Sequence, residues 1–168
     1  GAALREVGRM ADAQRELKQA LGEDPRNAMI LAENGTYATA MGQYERAIDF
    51  LQQAIAVSPK EADLYVRLGA AMYQKGDHAG ALEALRTAQS LAPNNPDAFY
   101  WMGLAIRKTD IDRAKSLFKQ GLEAAPEEGR FDHEMARTVA QEGAILEAVD
   151  YLRQAVRKDP KNGEAYFE

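Results

Sequence analysis

The side chains of this 168-residue sequence that could perform acid–base, nucleophilic or metal chemistry are spaced in a way that argues against most of it. There are two histidines and no cysteine. His133 is followed by Glu134, with Arg137 one helical turn further on. A metal ligand or histidine base needs a second donor at a matching spacing, and no other histidine or cysteine is near. His78 stands alone at the start of an expected helix, a solvated position. Asp110 and Asp112 bracket Ile111 and, as a carboxylate pair, would suit calcium or acid–base work. They lack the glycine and the later bidentate glutamate of a calcium loop. Capping and dipole stabilisation of a helix start account for both. Asn34-Gly35-Thr36 has the form of a glycosylation acceptor but falls inside a helical pattern. Glycine-rich phosphate loops and metalloprotease spacing are absent. These residues point away from an enzyme and call for no catalytic group, cofactor or metal.

Composition bounds the partners. The chain is 46% hydrophobic and 28% charged, with a net charge of −5 and a pI near 5.2. An acidic balance disfavours bulk binding to nucleic acid or anionic membrane. No apolar run approaches the roughly 20 residues of a membrane span, and no signal peptide is seen. The compartment stays open between cytoplasm and bacterial periplasm.

The elements that carry these residues are set by a period. Pro25, Pro59, Pro93, Pro126 and Pro160 follow one another at 34, 34, 33 and 34 residues. Twelve before each stands an alanine: Ala13, Ala47, Ala81, Ala114 and Ala148. Eight before stands Leu17, Leu51, Leu85, Phe118 or Leu152, and five before Ala20, Ala54, Ala88, Gly121 or Ala155. Ten after come Gly35, Gly69, Gly103 and Ala136. Such recurrence is the mark of a tandem array.

Each unit holds two amphipathic helices. From Ala28 to Met41, Ile30, Leu31, Asn34, Ala38 and Met41 form a stripe of three- and four-residue steps. From Tyr44 to Val57, Ala47, Ile48, Leu51, Ala54 and Ile55 form another. Gly42, Gly76 and Gly143 stand at the breaks, where a left-handed helix end favours glycine. The closing proline cannot donate the next helical hydrogen bond. Asn95 before Pro96 reads as an N-cap with proline at the first helical position. The small columns let paired backbones approach, and stacked neighbours bury what one pair cannot. Asp132, where other units carry a large apolar residue, and Ala136, where they carry glycine, predict looser packing of the fourth unit on the third.

The period, the glycine and alanine columns, the large residue six after each proline (Leu31, Tyr65, Phe99, Tyr166) and the closing proline resemble the tetratricopeptide repeat family over nearly the whole chain. The resemblance implies an all-α, right-handed α-solenoid of antiparallel helix pairs in a single array. It divides into a partial unit at 1–27, full units at 28–61, 62–95, 96–128 and 129–162, and the start of another at 163–168. The third unit departs by one missing residue and by Lys108-Thr109-Asp110 in place of the glycine turn. In the family, first helices line a concave groove that binds peptides. Positions four, seven, eleven, fourteen and fifteen after each proline then supply Tyr73, Tyr100, Leu104, Arg107, Lys108, Arg130, His133 and Arg137, a cationic and aromatic stretch in an acidic chain. Tyrosine and arginine are favoured in interface centres.

The function this implies is a non-enzymatic scaffold for a protein or peptide partner, of acidic character given the groove. The alternatives are a spacer or self-assembling module stacking end to end and, less favoured by the acidic balance, an RNA-binding helical repeat. The carboxylate-clamp and asparagine-ladder patterns of two better-known family uses are not matched. Gly1 falls where the repeat glycine belongs, and Glu164 to Glu168 open a further unit, so the sequence reads as a piece of a longer bacterial repeat protein. On that reading Leu4, Val7, Tyr166 and Phe167 lie on uncapped ends and favour head-to-tail association.

Overall fold

A computed structural model of the protein describes residues 2–160, with side chains from Asp12 onward. Tyr166, Phe167, the expected unit at 163–168 and the side chains of Leu4 and Val7 lie outside the described residues. The chain forms two compact units, residues 1–91 and 92–168. The first holds α1 (Ala2–Glu23), α2 (Ala28–Ala40), α3 (Tyr44–Val57), α4 (Ala62–Lys75) and α5 (His78–Leu91). The second holds α6 (Pro96–Ile106), α7 (Ile111–Ala124), α8 (Gly129–Gln141) and α9 (Ile145–Lys158). Among the described residues there is no strand.

Local chemistry sets the helix ends. Asn27 Oδ1 accepts from the backbone N–H groups of Met29 and Ile30 at 3.0 and 3.3 Å. Asn95 Oδ1 accepts from Ala98 N–H at 3.2 Å, with Pro96 just inside the helix. Each satisfies a donor that the first helical turn leaves unpaired. Asp110 caps α7 through Arg113 N–H at 3.0 Å, the helix-capping role expected of it. Gly42, Gly76 and Gly143 take positive φ of 71°, 95° and 83° at the turns. The glycine-free turn after α6 closes differently, with Thr109 Oγ1 and Asp110 N–H both donating to Ile106 O. Asn34, inside α2, is buried and donates to Ile30 O at 2.9 Å, which leaves no glycosylation acceptor there. α1 runs unbroken through Gly8, in the column that carries the turn glycine elsewhere. A hairpin turn is favoured only where the preceding helix has a face to bury against its partner.

The repeat columns pair within each hairpin. A methyl built on Gly35 would lie 2.6 Å from Leu51 Cγ, and one on Gly69 would lie 2.5 Å from Leu85 Cγ. On Gly103 it would meet the Phe118 ring at 2.5 Å. The glycine ten after one proline is therefore the seat of the large residue eight before the next. Ala47, Ala81 and Ala114 are fully buried beside these seats. Ala81→Leu is expected to overpack the α4–α5 contact and cost about 1–3 kcal/mol. A thermal melt unchanged from the parent would mean that this column does not face its partner.

The fourth unit solves its packing in another way. Five after the prolines stand Ile30, Leu64, Ala98 and Phe131, and six after stand Leu31, Tyr65, Phe99 and Asp132, so the fourth unit carries its bulk at the first of the two positions alone. Phe131 is fully buried, and room for its ring comes from Gly121 on α7, where other units carry alanine. A methyl on Gly121 would lie 2.5 Å from Phe131 Cζ. Asp132 finds its partner within the same unit. It is fully buried, and its Oδ2 accepts from Lys158 Nζ of α9 at 2.6 Å. In the other units the positions of Asp132 and Lys158 carry pairs such as Leu31 with Val57.

Candidate functional site

Seven of the eight residues singled out from the sequence belong to the second unit, on or just beyond α6 and α8, and of these Tyr100 and Arg130 meet across the two helices. Tyr100 and Leu104 are one turn apart on α6, which Arg107 caps and Lys108 follows. Arg130, His133 and Arg137 repeat the spacing on α8. Two contacts place the stripes side by side. The Arg130 guanidinium lies over the Tyr100 ring at 4.8 Å and over Phe131 at 5.0 Å, a cation–π arrangement. The same side chain pairs with Asp97 at 2.7 Å and Glu128 at 2.5 Å. The second contact is an ion pair between Arg107 and Glu134, both almost wholly buried at 7% and 3% exposure.

Arg107 therefore departs from its expected role. Its guanidinium is turned inward and held by a carboxylate of the next repeat, so it acts as a tie between α6 and α8. Lys108 and Arg137 are exposed, while Tyr100, Leu104, Arg130 and His133 are half-buried. Tyr73 sits in the first unit, half-buried, with its ring 5.2 Å from that of His78, which is exposed as expected.

Glu134 is the hub that sequence reasoning did not single out as functional. Its Oε2 is held by Arg107. Its Oε1 lies 3.4 Å from Arg137 Nη1 and 3.5 Å from His133 Nδ1. Burial works against the carboxylate's charge, but the His133 hydrogen bond and the charges of Arg107, Arg137 and His133 outweigh it. The Glu134 carboxyl is thus held below its usual range. A signal for such ties was in the columns. Eight after the prolines stand Glu33, Arg67, Trp101 and Glu134, and four after stand Met29, Asp63, Asp97 and Arg130. Opposite charges one repeat apart in a column do meet: Glu33 with Arg67 at 2.9 Å, and Asp97 with Arg130 at 2.7 Å.

The described residues hold no cluster of three or more metal-ligating side chains. No described helix is long and apolar enough to cross a membrane.

Family models of the tetratricopeptide repeat match residues 38–105 and 104–167. The chain belongs to the tetratricopeptide repeat family. Solved tetratricopeptide structures share its fold. A thermophilic TPR protein of Thermus thermophilus is 22% identical, with a TM-score of 0.84, over 96% of this chain and 89% of that one. MamA is 26% identical at a TM-score of 0.72, covering 95% and 94%. YrrB, described as a TPR protein with an unusual peptide-binding site, is 22% identical at 0.64, covering 95% and 82%. No curated protein matches. The fold is thus an all-α helical-repeat solenoid, and a tetratricopeptide array of this kind is a protein–protein interaction scaffold.

Proposed function

We propose that this tetratricopeptide protein is a non-enzymatic scaffold whose first-helix face on α6 and α8 captures an acidic protein or peptide segment. The observation that carries the reading is the presence of two exposed cations, Lys108 and Arg137, on helices that also carry the half-buried Tyr100 and Leu104, in a chain whose net charge is −5. Arg137 and Lys108 offer exposed cations for carboxylates, which arginine binds through a planar fork. Tyr100 and Leu104 offer the apolar floor. Arg107 and Arg130 are committed to internal carboxylates and shape the surface without donating to the partner. YrrB's described peptide-binding site is consistent with such a use of the fold. The buried residues of the array are packing groups, and nothing among the described residues resembles a catalytic set.

The test uses the full chain and a short rhodamine-labelled peptide alternating glutamate with leucine. Lys108→Glu with Arg137→Glu is expected to weaken capture at least tenfold while leaving the circular dichroism spectrum unchanged. Arg107 is unsuited to this test, because a glutamate there would sit buried beside Glu134 and unfold the site. Equal capture by the double variant would move the docking surface elsewhere. No capture by the parent, with helices intact, would favour a spacer role.

A further inference from the structure

We propose that the first unit holds a binding site for a small organic acid, a 2-hydroxy carboxylate with a short branched aliphatic body, in the cavity lined by α1, α2 and α3. The site is separate from the α6–α8 face and does not rest on the reading of that face.

A break in two columns makes the cavity. Nine after the prolines stand Asn34, Leu68, Met102 and Met135, and only the first is polar. Eleven before Pro25 and Pro59 stand Gln14 and Ile48. One unit on, Ile48 and Leu68 are buried and belong to one core cluster, so the equivalent space is filled. Asn34 and Gln14 put amides in those places, and both line a cavity of about 50 Å³. At the volume one water needs, that is room for about four non-hydrogen atoms. Leu17 and Leu21 of α1 and Phe50 of α3 supply its apolar wall. The groove positions of this unit, Met29, Ala32, Thr36, Thr39 and Ala40, take no part in the lining.

The polar groups define the ligand. Asn34 is buried, and its Nδ2 donates to Ile30 O at 2.9 Å and to Leu17 O at 3.5 Å. Among the described residues nothing donates to its Oδ1. A buried acceptor in that state gains from a ligand hydroxyl. Lys18 and Arg46 are the charged residues of the lining, both exposed, so their charges stand where the cavity meets solvent. No described carboxylate lines it, although the chain carries 26 acidic residues against 21 basic ones. The Arg46 guanidinium lies over the Phe50 ring at 5.4 Å and donates to Gln43 Oε1 at 3.2 Å, which holds it beside the apolar wall. A ligand carboxylate at the mouth meets the two cations, its alkyl group covers Leu17, Leu21 and Phe50, and its hydroxyl reaches Asn34. A continuous peptide is too bulky for a cavity of this size, so the acidic segment of the α6–α8 face is not its ligand.

The experiment titrates 2-hydroxyisovalerate into the full chain at neutral pH and follows amide and side-chain NMR shifts. Saturable changes are expected at Leu17, Leu21, Asn34 and Phe50, with the millimolar affinity of so small a ligand. The amide of the same acid keeps the shape and loses the charge. It should bind about fivefold more weakly, the worth of one charge pair about 4 Å apart in water. Isovalerate, which lacks the hydroxyl, should bind about threefold more weakly, the worth of one modest hydrogen bond. Asn34→Leu restores the column and should abolish binding while the thermal melt stays at or above that of the parent. Lys18→Gln with Arg46→Gln, both at exposed positions, should weaken binding about fivefold or more, and this readout does not depend on the Asn34 variant folding. Shifts confined to the surroundings of Lys108 and Arg137, equal affinity for the acid and its amide, undiminished binding by a folded Asn34→Leu, or no saturable change in the millimolar range would each overturn the site. All of these outcomes leave the reading of the α6–α8 face as it stands.

Discussion

Replacing Glu134 by alanine is expected to lower the stability of the second unit by about 3–5 kcal/mol. The reason is what remains. Arg107 is nearly as buried as its partner, and without Glu134 its charge is left largely desolvated and unpaired. Removing one member of an enclosed pair costs far more than the pair itself contributes. Acid should reproduce part of the loss in the parent. A carboxyl held below its usual value stabilises the fold above that value, and the gain is lost as the pH falls through the lower folded-state value. Denaturant unfolding at neutral pH and near pH 3 should therefore differ in the parent and differ less in Glu134→Gln. A loss below about 1 kcal/mol for the alanine variant would put the pair in the class of exposed ion pairs and refute its role as the tie.

The second large effect is apolar. Phe131→Ala should cost about 3–5 kcal/mol, because a fully buried ring is removed from a seat shaped for it. Gly121→Ala should cost about 1–3 kcal/mol in the parent, as its methyl would strike that ring. The two are in contact, so they should not add. In the Phe131→Ala background the Gly121 methyl should cost nothing or restore some packing, and a thermodynamic cycle should show coupling above about 0.5 kcal/mol. Strict additivity would mean that the shift of bulk from position 132 to 131 is not compensated at 121.

Much of the architecture was legible because the period is strong and each signal has a local cause. The prolines, the turn glycines at 42, 76 and 143, and the caps at Asn95 and Asp110 all act within a few residues of themselves. The glycine seats under Leu51, Leu85 and Phe118 were legible as small columns, although which side chain fills each seat was not. The partner of Asp132 was not legible: a polar residue in an apolar column reads as a defect until Lys158, 26 residues on, is seen to pair with it. In the candidate site, helical spacing and the repeat positions brought out Tyr100, Leu104, Arg130, His133 and Arg137. The inward turn of Arg107 depended on a partner one repeat away, and single-position reading counts such an arginine as a free cation.

The central claim is that the α6–α8 face of the second unit receives an acidic segment. Amide and side-chain NMR shifts of the full chain, followed during titration with the glutamate–leucine peptide, test it most directly. The account expects saturable changes centred on Tyr100, Leu104, Lys108, His133 and Arg137, with the first unit and the outer helices α7 and α9 little affected. Changes confined to α7 and α9, or no saturable change under conditions that keep the protein folded, would contradict it.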